Sequence, residues 1–337
     1  MNYLDYANRL SRIRIPHREC KNVGRKLYAH LSLATEGDVI FLIGPSRVGK
    51  STILKECLEQ MFKGHRDPRF IPYAKVDASQ TNQGHFTLKQ LWADLLVEVK
   101  HPSFCDSDYS LRRSHTEASL LSTLIRTMIA RNTILIAVDE GMPMLLLRGP
   151  AGPIPALDTL KCLGNKTGAA VVVCGDYTLL DRCFLSAHLN GRMVVIEFPG
   201  YSESKDDVIE FSRILASIDT QLPWRSGQSL VKHMDFIYAG TAGCCGSAIK
   251  WSRLALAEMG ADDRSYLRIR DFERSRLVEQ AESFHALNER RRLLEEMNAG
   301  VYATPETVSR QALGKPKRQY RPGLRNPVRD PVGGEVA

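Results

Sequence analysis

The stretch FLIGPSRVGKST, residues 41–52, carries the most chemistry per residue in the chain. Residues 44–51, GPSRVGKS, fit the spacing G-x-x-x-x-G-K-[ST]. A loop of this kind wraps its backbone N–H groups around phosphate oxygens, and the helix after it adds the positive end of its dipole. Gly44, Pro45, Ser46, Arg47, Val48, Gly49, Lys50, Ser51 and Thr52 are therefore the expected nucleotide-binding residues. Lys50 would reach the β- and γ-phosphates of ATP, and the Ser51 hydroxyl would coordinate Mg2+. The alternative is a glycine-rich turn without a ligand.

A phosphate loop needs an acidic partner, and ILIAVDE, residues 134–140, supplies one at the end of an apolar run. Asp139 is the expected second metal-side group, acting through water. Glu140 suits a general base for the attacking water. Such a pair can also merely cap a helix; the phosphate loop upstream favours catalysis. VCGDY, residues 173–177, places Asp176 where a polar side chain would sense the γ-phosphate, or where it would simply end a strand. Arg182 and Arg192 flank the next apolar run. Either would act as a finger reaching a neighbouring subunit's nucleotide, Arg192 ahead of Arg182, or both would form surface ion pairs of little energetic weight. Lys250 and Arg253, beyond the turn AGCCGS, would approach the phosphates or remain solvated helix charges.

The elements that must position these groups follow from periodicity. Short apolar runs at 36–44, 69–78, 133–140, 169–175 and 192–199 read as strands. Helical spacing fills the gaps, at 52–62, 86–99, 115–132 and a short helix ending at GNKTG. Strands that alternate with helices imply an α/β fold with a parallel sheet. The uniformly apolar third strand implies cover on both sheet faces. After Pro199 the strands stop, and residues 201–298 read as helical, with a long charged helix near 272–297. Residues 1–30 start helical and turn loop-like around Pro16. The Pro-, Gly- and Arg-rich stretch 299–337 lacks the apolar surface to offset ordering entropy, so disorder is expected there.

Charge is concentrated at the ends. Residues 1–30 hold seven Lys/Arg against two Asp/Glu, and 301–337 hold seven against three. With a total of +8, the middle of the chain is close to neutral. Basic ends suit nucleic acid or another acidic surface, or act as solubilising tails. The eight cysteines are scattered without a C-x-x-C pair, which points to a reducing compartment and mostly buried thiols. No apolar run approaches the ~18 residues of a membrane span, and the first residues lack an apolar signal core. A cytoplasmic protein with no membrane partner is expected.

Taken together, GPSRVGKST, LIAVDE, the GD after strand four, the arginine before strand five and the following helices resemble an AAA+ ATPase. Within that superfamily, LDTLKCLGNKTGAAVVVCGD, LNGRMVVIEFPGYSE, LPW at 222–224 and TAGCCGSAIKWSRLAL are similar to the TnsC/TniB group of transposition regulators. The likeness covers roughly residues 10–275. Asp176 and the Gly141–Met142 pair depart from the group's commoner residues. The resemblance implies an AAA+ P-loop NTPase core, a parallel five-stranded sheet flanked by helices at 36–200, with a small all-helical lid at 201–298. It also implies ATP and Mg2+ as cofactors, and a homo-oligomeric ring or helical filament around double-stranded DNA. A transposase and a target-selection protein would be the partners. Basic residues would then line the bore: Lys89, Arg112 and Arg113, with Thr81 or Gln83 donating to the DNA backbone. Two other readings share the motifs. One is a helicase loader or initiator-like ATPase. The other is a nucleotide-gated signalling or scaffold module with little turnover.

Overall fold

The computed structural model describes residues 2–65, 67–78, 85–104, 115–146, 154–179 and 193–275. All of them lie in one unit, Met1–Glu295. Five strands form the sheet: β1 (Val39–Ile43), β2 (Tyr73–Asp77), β3 (Leu135–Asp139), β4 (Ala170–Gly175) and β5 (Met193–Glu197). Every pairing is parallel and the order is β2-β3-β4-β1-β5. β1 is buried throughout, and so is β3, as their unbroken apolar runs require. Because β1 pairs with β4 rather than β2, the chain leaves β1 across two strands. That crossover opens a crevice at the carboxyl edge, where ligands of α/β sheets bind.

Helices cover both faces. On one lie α2 (Arg18–Leu33) and α3 (Lys50–Met61). The α2 stripe Val23, Leu27 and Leu31 recurs every four residues and packs with Ile53, Leu54 and Leu58 of α3 against Ile40, Leu42 and Val172. On the other lie α4 (Leu88–Glu98), α5 (Glu117–Arg131) and α6 (Ile154–Thr167), with α4 against β2 and α6 against β4. Thr87 and Thr116 cap α4 and α5 by accepting from Gln90 and Ser119 N–H groups.

The helical part after β5 comprises α7 (Lys205–Asp219), α8 (Met234–Thr241), α9 (Cys245–Ala261) and α10 (Ile269–Arg274). Its core gathers Phe211, Leu215, Trp251, Leu256 and Phe272. The Trp251 indole donates to the Phe272 carbonyl at 3.0 Å. Trp224 of LPW stacks on Phe272, with its own indole 2.7 Å from Asp219 Oδ1.

The amino-terminal segment has the loop expected around Pro16, and helix resumes beyond it. It is two helices, α1 (Tyr3–Arg12) and α2, joined by an extended turn. Pro16 forbids continuation, and Ile13 and His17 adopt extended dihedrals on either side. α1 packs on α9 while α2 packs on α3, so this segment joins the lid to the sheet. The strands are shorter than their apolar runs, and β2 begins only after Pro72, which cannot donate to a ladder. Residues 276–337, including most of the expected long helix and the basic tail, lie outside the described residues. Of the six described cysteines, Cys57, Cys174, Cys244 and Cys245 are buried, Cys20 is half-buried and Cys162 is exposed. No described helix is long and apolar enough to cross a membrane.

Candidate nucleotide site

The loop 44–49 leaves β1 and turns into α3. Gly44 N–H donates to the Gly175 carbonyl at 3.2 Å, tying the loop to β4. A Cβ on Gly44 would sit 2.1 Å from the Phe198 carbonyl oxygen, so only glycine lets the loop lie against the strand-five exit. Gly49 caps α3 in the left-handed region at φ 117°. Lys50 begins the helix and curls back, its ammonium donating to the Gly44 and Pro45 carbonyls at 2.9 and 2.8 Å. Burial pushes the Lys50 pKa down, with Cys174, Asp176, Cys244 and Asp139 pulling it back. Among the described residues no carboxylate forms an ion pair with Lys50, and a phosphate ligand would supply an anion at close range.

Ser51 Oγ donates to Asp139 Oδ1 at 3.0 Å, although 88 residues separate the two. Asp139 is 3% exposed. Its Oδ1 also accepts from the Glu140 N–H at 3.0 Å, and its Oδ2 pairs with the Lys75 ammonium at 3.0 Å. Ser51 and Asp139 thus present hard oxygen donors at one point beside a helix N-terminus, a donor set that fits Mg2+. Glu140 is exposed, and its backbone is held at φ 49°. That conformation costs a non-glycine residue ~1 kcal/mol and collects at functional sites. Asp176 stands at the same edge, within electrostatic reach of Lys50, but its Oδ1 accepts from Thr178 N–H at 2.9 Å.

Lys75 is a site residue that the motifs do not reveal. Burial opposes its charge, yet the hydrogen bond and charge of Asp139, with Asp77, hold its pKa above the ordinary lysine value. The alternation Tyr73, Lys75, Asp77 on one half-exposed face was the available signal.

A second feature absent from the motif is a cavity of about 1060 Å³ beside the loop. Ile13, Ile15 and His17 line it from the amino-terminal turn, Val48 and Ile53 from the loop and α3, and Cys245, Gly246 and Ile249 from α9. Its apolar walls suit a nucleobase. The α9 N-terminus touches the loop directly, since Gly246 N–H donates to the Arg47 carbonyl at 3.1 Å. His17 Nδ1 and the Tyr201 hydroxyl lie 2.9 Å apart, and burial lowers the His17 pKa. Arg18 pairs with Asp207 of α7. The cavity therefore has walls from three separate parts of the chain. The loop expected around Pro16 was the sequence signal for it.

A Cβ on Gly246 would lie 2.3 Å from the Arg47 carbonyl. Gly246→Ala is expected to force α9 off the loop at a cost of about 1–3 kcal/mol. Thermal unfolding with and without ADP checks this: both the midpoint and the ADP-induced rise should fall.

Lys89 lies in the first turn of α4, half-buried and away from the phosphate loop in sequence. Thr81, Gln83, Arg112, Arg113, Arg182 and Arg192 lie outside the described residues. Lys250 and Arg253 sit on α9, one and two turns beyond Gly246.

Residues 34–183 match the family described as AAA domain. The fold aligns with the Aeropyrum pernix ORC2 protein in its ADPNP-ADP complexes, at TM-score 0.51 and 17% identity, over 76% of this chain and 66% of that one. It aligns with Cdc6p from Pyrobaculum aerophilum at TM-score 0.54 and 18% identity, over 78% and 67%. Drosophila ORC bound to DNA aligns at TM-score 0.51 and 13% identity, over 81% and 64%. The chain thus spans about two thirds of the length of these structures. No curated protein matches it in sequence. At such identities the likeness is one of fold, and the fold is that of the AAA+ P-loop NTPases.

Proposed function

We propose that this chain is a Mg2+-dependent AAA+ ATPase that oligomerises on duplex DNA and regulates transposition, linking target selection to the transposase. One observation carries the ATPase reading. Lys50, Ser51, Asp139 and Glu140 converge at the carboxyl edge of the sheet, with Ser51 Oγ and Asp139 Oδ1 3.0 Å apart. Lys50 and the loop N–H groups bind the phosphates, while Ser51 and Asp139 hold the metal ion. Bound Mg2+ supplies charge neutralisation at the phosphates. Glu140 takes the proton of the attacking water, and Asp176 senses the γ-phosphate or orients that water. Arg192, or Arg182, completes the neighbouring subunit's site.

The division into a basic segment 1–35, core 36–200, lid 201–298 and tail 299–337 serves this reading. Nucleotide in a cavity walled by all but the tail biases how lid and core sit. That bias couples the γ-phosphate to packing between copies. The basic ends, with Lys89, Thr81, Arg112 and Arg113, supply phosphate contacts to DNA.

The test is imaging of the full chain with ATP, ADP or no nucleotide, with and without a duplex. Rings or filaments on DNA with ATP alone are expected, and binding should collapse between low and moderate salt. Monomers and bare DNA under every condition defeat it. A second reading, an initiator-like or helicase-loading ATPase, draws support from the fold likeness to ORC and Cdc6 proteins, one of them bound to DNA. Capture of a helicase rather than a transposase by the ATP-bound protein would favour it. A nucleotide-gated scaffold predicts no DNA binding at any salt.

A further inference from the structure

The reading above leaves Lys75 without a role. β2 and β3 are in register, with Lys75 opposite Ala137 and Asp77 opposite Asp139. Side chains two apart share a face, so the Lys75 stem runs along that face toward the carboxyl edge. Its ammonium ends 3.0 Å from Asp139 Oδ2 and 3.3 Å from Asp77 Oδ1. Asp139 then has both oxygens assigned: Oδ2 to Lys75, and Oδ1 to the Ser51 hydroxyl and the Glu140 N–H. Three donors on two oxygens fix the plane of the carboxylate. Lys75 and Ser51 also line one cleft of about 390 Å³, with Thr52, Lys55 and Glu56. A cation bound beside Ser51 and Asp139 meets an ammonium already neutralising that carboxylate, and like charges at such range oppose each other.

We propose that Lys75 is a positioning residue for Asp139, one that turns Oδ1 toward Ser51 and weakens the hold of that pair on a divalent cation. This rests on the nucleotide–metal reading of the site. The consequence is a metal ion held loosely enough to exchange with each nucleotide. Asp139 supplies the orientation-dependent ligand, and Lys75 sets how much of its charge the metal ion receives.

The experiment is Mn2+ titration of the full-length protein, with ADP kept below the protein concentration and free Mn2+ read by electron paramagnetic resonance. Lys75→Met is expected to lower the Mn2+ midpoint at least fivefold, and Lys75→Arg to stay within twofold of the unmodified protein. A merely structural loss would weaken the site, so tightening separates the two. Lys75→Gln, which keeps a polar end without the charge, should tighten it as well and stands in if the methionine variant does not fold. Midpoints that are unchanged or raised in both neutral variants overturn the proposal while leaving the nucleotide–metal reading in place. An unmodified protein that takes up no Mn2+ with ADP overturns both.

Discussion

Lys50→Ala should lose at least a hundredfold in affinity for ATP and ADP, and with it every nucleotide-dependent assembly. The ammonium lies inside the curve of the loop, donating to the Gly44 and Pro45 carbonyls. Bonds from a charged donor to an ionised phosphate oxygen run about twice as strong as neutral ones. Losing about 2.8 kcal/mol corresponds to the hundredfold change. The unliganded fold should change little, because two effects oppose each other. Removing a buried charge relieves the desolvation that lowers its pKa. The same change leaves two carbonyls without this donor. Calorimetric titration with each nucleotide, alongside thermal unfolding, checks both halves. An affinity within threefold of the unmodified protein would remove the phosphate loop from the argument.

Glu140→Gln should cut ATP turnover by about 10²–10⁴, the range a general base contributes, while leaving ATP affinity within a few-fold. Glutamine has the same shape, so the left-handed turn at φ 49° and the N–H bond to Asp139 persist. What disappears is the ability to accept a proton. If assembly depends on the intact triphosphate, this variant should accumulate long-lived complexes on DNA that the unmodified protein disassembles. Single-turnover hydrolysis with labelled ATP gives the first result, and imaging over time gives the second. Turnover at the normal rate would move the base to another residue, with Asp176 next in line.

The order of strands and helices was legible in the sequence because burial leaves a periodic trace. β1 and β3 are covered on both faces, so their apolar runs are continuous, and α4 carries one apolar stripe. The loop spacing and the acidic pair were legible for a related reason. Each is a local constraint, set by backbone geometry over eight residues or by the end of one strand. Element ends were less legible. Apolar residues run past the paired strand, as at Ile134, which precedes β3 and is exposed.

What the sequence by itself determined, then, is an α/β chain with a phosphate loop, an acidic strand end and a helical second part. Only the tertiary structure decided that Lys75 holds the second carboxylate oxygen of Asp139, and that the amino-terminal turn closes a cavity with α9. The physical reason is that these contacts depend on strand order and register. β4 inserts between β1 and β3, and β2 pairs in register outside β3. Periodicity shows which face of a strand is buried, but it carries no information about which strand lies next to it.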